Sequence, residues 1–193
     1  MAAEGCPMVV SHHPSAEMRS DYRIGNLAPG AALTVAAHLA LCRECALVVG
    51  DRPRATGLAH RPMQAAGGGP RSPAADFSPE RLPRVLRDIP LGKWRRVGPG
   101  VRASRLQGVS GIAESVHFLR ASAGARLRLP RTGLLLVLSG AIATPARQFG
   151  LGAFLELADL PSRKARADPV AGCLCLIVGE GDLYRGLLGR LTH

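Results

Sequence analysis

The segment HLALCREC, His38 to Cys45, places one of the chain's six histidines and two of its five cysteines within eight residues. On a helix of about 100° per residue, Cys42 lies roughly 40° from His38, and Cys45 roughly 20° away on the other side. All three side chains would then share one face within two turns. Two thiolates and an imidazole converging on a point suit zinc, which takes tetrahedral sulfur and nitrogen ligation. A closed site needs a fourth protein ligand, and SHHPS upstream offers His12 or His13. A C-x-x-C pair alone is a weak signal. A thioredoxin-like reading of it lacks the surrounding βαβ pattern. The spacing therefore predicts two short helices tied by a metal.

Ser15 is a candidate N-cap for a first helix over about residues 16–27, with Glu17 in the first turn. LAPG (27–30) ends it. An Ala-rich, proline-free stretch from Ala31 to Val49 predicts a second helix with Leu33, Ala37, Ala40 and Leu41 as its apolar stripe and Gly50 as its stop. PMQAAGGGPRSP (62–73) has the composition of a linker or loop. A short helix is expected within SPERLPRVLRDI, with Ser78 as cap and Pro79 as first residue. From Lys93 onward the pattern changes to short apolar runs separated by Gly and Pro: VHFLRA, ARLRLP, LLLVLSGAI, AFLELAD and CLCLIV. Such runs predict a small sandwich or barrel. Cys173 and Cys175, two apart in one of these strands, are expected to share a face as core thiols. Cys6 is expected on a tail, and His60, His117 and His193 as ordinary solvated or packed histidines.

The 193 residues suffice for one large domain or two small ones. Aromatic residues are only 4% against 47% hydrophobic, so the core must be aliphatic. The net charge is +11, but it is unevenly spread. Residues 1–50 hold Arg19, Arg23 and Arg43 against Glu4, Glu17, Asp21 and Glu44, a net charge of −1, which leaves +12 for the rest. A nucleic-acid binder would concentrate positive charge at its recognition element, whereas here the motif-bearing segment is the least basic. No signal-peptide pattern opens the chain, and its longest apolar run is far short of the roughly 20 residues that span a bilayer. A cytoplasmic location without membrane attachment is expected.

HHPSAEMRSDYRIGNL followed by AAHLALCREC resembles the zinc-binding anti-sigma domain of the ChrR type. In that family a small helical domain precedes a C-terminal cupin-like β-barrel. GKWRRVGPGVRASRL, SAGARLRLP, LLLVLSGAI, FGLGAFLELAD and CLCLI follow the order of strands in such a barrel. The resemblance implies an α+β fold: a zinc-bound helical domain over 1–61, a linker with a short helix over 62–91, and a jelly-roll-type barrel over 92–193. It assigns the ligands of one Zn2+ per chain to His13, His38, Cys42 and Cys45, taking the second histidine of the pair.

The resemblance further implies a partner, an extracytoplasmic-function-type sigma factor held inactive until a stress signal releases it, with no catalytic residues and no direct contact with nucleic acid. Metal-binding barrels of this family carry paired histidines, a glutamate and a later histidine. Here Leu129 and Arg131 stand in place of the pair, no glutamate follows, and Arg163 lies near the last position. The expected barrel is metal-free. The alternatives are a cupin-type metalloenzyme and a basic zinc-containing nucleic-acid-binding protein.

Overall fold

The structure is a computed structural model that describes residues 10, 12–50, 82–109 and 114–180. Cys6, His60, His193, the 62–73 segment and the Ser78–Pro79 helix start lie outside them.

Ser15 caps α1 (Ala16–Ile24), its Oγ accepting from the Met18 N–H at 3.2 Å. Gly25, in the left-handed region at φ 78°, ends it earlier than the composition suggested. α2 (Pro29–Leu39) begins two residues before Ala31, because Pro29 occupies a first-turn position where its fixed φ is an advantage and its missing N–H is no loss. The open amide of Gly30 in that turn donates to Glu114 Oε2 at 3.0 Å.

The expected single helix through Val49 is two helices. α2 stops at Leu39, and α3 (Arg43–Val49) leaves at 118° to it. No Gly or Pro marks the break. Cys42 takes an extended conformation (φ −116°, ψ 102°), and its sulfur accepts from the Cys45 N–H, so the motif cysteine itself caps α3. The predicted shared helix face is therefore replaced by a corner, with His38 on one arm and the cysteines at and beyond the bend. Gly50 ends α3 as expected. Pro83 does not lie within a helix: it precedes the short α4 (Arg84–Arg87), because proline disfavours the helical conformation of the residue before it. No single helix among the described residues is long and apolar enough to cross a membrane.

The described residues of the second half form ten strands: β1 (Arg95–Gly98), β2 (Val101–Arg105), β3 (Glu114–Ala121), β4 (Arg126–Arg128), β5 (Leu134–Gly140), β6 (Ile142–Ala143), β7 (Gln148–Phe149), β8 (Phe154–Glu156), β9 (Lys164–Ala167) and β10 (Cys173–Glu180). They pair antiparallel into a six-stranded sheet, β1-β2-β3-β10-β5-β8, and a four-stranded sheet, β4-β9-β6-β7. The expected closed barrel is thus two sheets. No ladder joins them among the described residues, because the chain passes between them at turns such as Gly140–Ala141 and Asp168–Gly172 rather than along long shared strands.

Leu119, Leu135, Ile142, Phe149, Leu155 and Ile177 fill the space between the sheets. Cys173 and Cys175 are buried in the same layer, as expected of core thiols. Leu129, which stands at an expected histidine position, is buried there too. Next to it, Arg163 donates from Nη1 to the Pro130 carbonyl at 2.7 Å.

The opposite face of the six-stranded sheet is also buried. Val116, Phe118, Leu136, Leu176 and Val178 pack against Leu33, Val35 and Ala37 of α2 and Leu86 of α4. Helices, six-stranded sheet and four-stranded sheet form three layers, and the helical layer shares its core with the sheet.

Candidate metal centre

Four side chains meet where the α2–α3 corner approaches the segment before α1: His13, His38, Cys42 and Cys45. One ligand atom from each lies within 4.8 Å of all the others. His13 Nδ1 is 3.4 Å from Cys42 Sγ and 3.3 Å from Cys45 Sγ. In a tetrahedron with metal–sulfur bonds near 2.3 Å and metal–nitrogen bonds near 2.0 Å, ligand atoms are separated by roughly 3.3–3.8 Å. The two His13–cysteine separations fit that geometry, and the 4.8 Å bound on the whole group lies about 1 Å outside it.

His38 is fully buried. Its Nδ1 lies 2.9 Å from the carbonyl oxygen of Gly152, in the turn before β8. A carbonyl can only accept, so Nδ1 carries the proton and Nε2 holds a lone pair. Nε2 has no hydrogen-bond partner among the described residues. A buried nitrogen left in that state is costly unless something coordinates it, and it faces the two thiols and His13. Burial holds the His38 imidazolium form down to a pKa of about 4, against a smaller opposing contribution from the Gly152 carbonyl. The ring is therefore neutral and ready to coordinate near pH 7. Burial, with Cys42 alongside, pushes the Cys45 thiol up to about 11. A bound cation would reverse that, since a coordinating thiol is deprotonated outright.

The two upstream histidines, equivalent by composition, separate by direction. Adjacent side chains of an extended segment point opposite ways. His13 enters the cluster, with Glu44 Oε2 3.8 Å from its Nε2. His12 turns away: its ring meets the edge of Phe149 at 4.7 Å, and its Nε2 lies 3.2 Å from Arg147 Nη1. Burial and then Arg147 lower the His12 pKa. The His12 carbonyl accepts from the Phe154 N–H at 3.0 Å, and Ser15 N–H donates to Glu156 Oε1, so the β8 edge positions the segment that delivers His13.

Three participants were not anticipated from the sequence. Glu44 lies inside the C-x-x-C and could have been noticed as a carboxylate partner for a histidine ligand. Gly152 acts through its backbone, and Phe154 packs its ring edge-on against His38 at 5.6 Å. Neither lies near the motif in sequence. The four clustered side chains are suited to hold a metal ion, and they are the one such group among the described residues.

No family model matches the chain, and no curated protein matches it. Among solved structures, it is similar to the anti-sigma ChrR in the crystal structure of Rhodobacter sphaeroides SigE in complex with that protein. The identity is 28% with a TM-score of 0.61, over 89% of this chain and 99% of that one. Weaker likenesses include KdgF from Halomonas, with 16% identity and a TM-score of 0.35 over 46% of this chain and 84% of that one. An RmlC-like cupin protein from Ralstonia eutropha also has 16% identity and a TM-score of 0.35, over 50% of this chain and 66% of that one.

Proposed function

We propose that this chain is a zinc-dependent anti-sigma factor that binds an extracytoplasmic-function-type sigma factor and withholds it from RNA polymerase until a stress signal releases it. The observation that carries the reading is the convergence of His13, His38, Cys42 and Cys45, in a chain similar to ChrR along almost its whole length. Two thiols and two imidazoles form a donor set suited to zinc. One Zn2+ bound by all four would be fully coordinated by protein, which is the pattern of a structural site; a catalytic zinc keeps a position for water or substrate. The role of the metal is then to hold α1, α2 and α3 in one arrangement.

That arrangement leaves large apolar side chains outside. Ile24 on α1 is 74% exposed, and Leu47 and Val48 on α3 are 73% and 62% exposed. Exposed apolar residues on a rigid helical layer suit protein docking. The working mechanism is mass action, since a sigma factor held on this surface is unavailable to polymerase.

The division into a helical domain over 1–61, a linker over 62–91 and a cupin-like jelly roll over 92–193 belongs to the same reading. From β3 onward the chain passes back and forth between the two facing sheets, as it does in a jelly roll. The expected metal-free barrel belongs to it as well, as does a cytoplasmic location. The test is reconstitution: the zinc-loaded protein, mixed with each extracytoplasmic-function-type sigma factor of its host, should form a stable complex with one of them and inhibit transcription from that factor's promoters.

A further inference from the structure

β1, β2 and β3 carry arginines in register. Arg96 lies opposite Arg102, and Arg102 lies opposite Arg120. Directly opposed residues share a face of the sheet, so three guanidinium groups form a row across three strands. The row continues through Leu174 of β10 and Ser139 of β5, with no carboxylate in it. Like charges directly opposite are destabilising, and arginine cannot relieve the repulsion by losing its proton.

A coding bias toward arginine would scatter such residues. It does not explain why these three also line one cavity. That cavity, about 240 Å³, is bounded by Arg96, Arg102, Arg120 and Ser122, with Gly98, Gly100 and Val101 at the β1–β2 turn. The opposed pair Arg126–Arg166 on β4 and β9 takes no part in it.

We propose that Arg96, Arg102, Arg120 and Ser122 form a binding site for a small phosphorylated molecule. The chemistry follows from charge and shape. Each guanidinium presents a planar fork of donors matched to phosphate or carboxylate oxygens. Three forks around one cavity exceed what a single carboxylate can accept, and they match a phosphate monoester or diphosphate with its two or more charges and three terminal oxygens. The volume is below the roughly 300–1,000 Å³ of pockets that enclose drug-sized ligands, which favours a compact anion. The site lies on the face of the six-stranded sheet that the helices cover farther along, since Arg120 is two residues beyond Phe118 on the same strand. It is independent of the metal centre and of the sigma-binding reading.

Calorimetric titration of the full-length, metal-loaded protein with pyrophosphate tests the proposal, with sulfate and chloride at matched ionic strength as controls. Saturable binding of one pyrophosphate per chain is expected. Arg102→Gln should weaken it at least about tenfold, as expected for loss of charged hydrogen bonds. Arg126→Gln, at an opposed arginine outside the cavity, should leave it unchanged. Absence of saturable binding, or equal weakening by both substitutions, would overturn the site. So would protection of these arginines by duplex DNA but not by pyrophosphate, which would mark a nucleic-acid surface instead.

Discussion

The carbonyl of Gly152 accepts a hydrogen bond at 2.9 Å from Nδ1 of His38, 114 residues earlier in the chain. A loop of the sheet half thereby sets the tautomer of a residue in the helical metal cluster. Partners of this kind, one step removed from the metal, orient its ligands and tune affinity.

Gly152→Ala should therefore weaken metal binding without altering any ligand. Gly152 has φ +79°, a conformation that strains any residue with a Cβ, and the added Cβ would lie 2.8 Å from Val10 Cγ2, so the turn that carries the carbonyl is disturbed. Competition with a chromophoric chelator should show zinc affinity lower by about 10–100-fold, the usual effect of losing such a partner. Unchanged affinity in a folded variant would separate the loop from the site.

Cys42→Ser should be the most damaging single change in the cluster. It removes a ligand and also the sulfur that caps α3. Structural zinc contributes on the order of 10 kcal/mol in small modules, and here the helices also share a core with the sheet, so metal loss should be accompanied by a large fall in melting temperature. His13→Ala should lose metal as well. His12→Ala should retain it, because that ring lies against Phe149 and Arg147. Equal metal loss in the two histidine variants would contradict the assignment.

The chelated protein should have a stability plateau bounded on both sides. His38 titrates near 6.5 when unfolded and is held down to about 4 when folded. Its contribution is full above pH 6.5 and is lost as pH falls toward 4, because the unfolded chain binds the proton first. Cys45 runs the other way: it is raised from 9.0 to about 11 in the fold, so its contribution is full below pH 9 and is lost as pH rises toward 11. Melting temperatures across pH 4–11, with and without zinc, check both limits. The alkaline loss should shrink when zinc is bound, since coordinated thiols are already deprotonated.

Gly30→Ala tests the seam between helices and sheet. Alanine in a helix is ordinarily favoured over glycine by about 1 kcal/mol. Here the new Cβ would lie 2.8 Å from Val116 Cγ2 and 3.0 Å from Val178 Cγ1. Overpacking of this kind costs about 1–3 kcal/mol, so net destabilisation is expected in chemical denaturation. A gain in stability would mean that the α2–sheet contact is looser than described.

Much of the site was legible in the sequence because local chemistry determines it. The spacing of His38, Cys42 and Cys45 pointed to a metal, Ser15 and Gly50 marked helix ends, and the apolar runs marked strands. The corner at Cys42 was not legible. Ala40, Leu41 and Cys42 carry no helix-breaking signal, and the bend places the cysteine sulfur where it caps the next helix. Spacing left His12 and His13 open; the family resemblance chose His13, and the physical reason for that choice lies in the β8 edge, which fixes the direction of the segment. Gly152 contributes a backbone oxygen, which leaves no mark in residue type. The pairing of strands into two sheets depended on turns such as Gly140–Ala141, whose effect emerges only with the register of both sheets.

Complex formation between the zinc-loaded full-length chain and the extracytoplasmic-function-type sigma factors of its host is the most direct measurement of the central claim. Size-exclusion chromatography with light scattering should show a one-to-one complex with one of them. The complex should be lost in Cys42→Ser, and weakened by Leu47→Asp in a protein that keeps its metal. If the folded, zinc-loaded chain binds none of these sigma factors, the anti-sigma account is wrong.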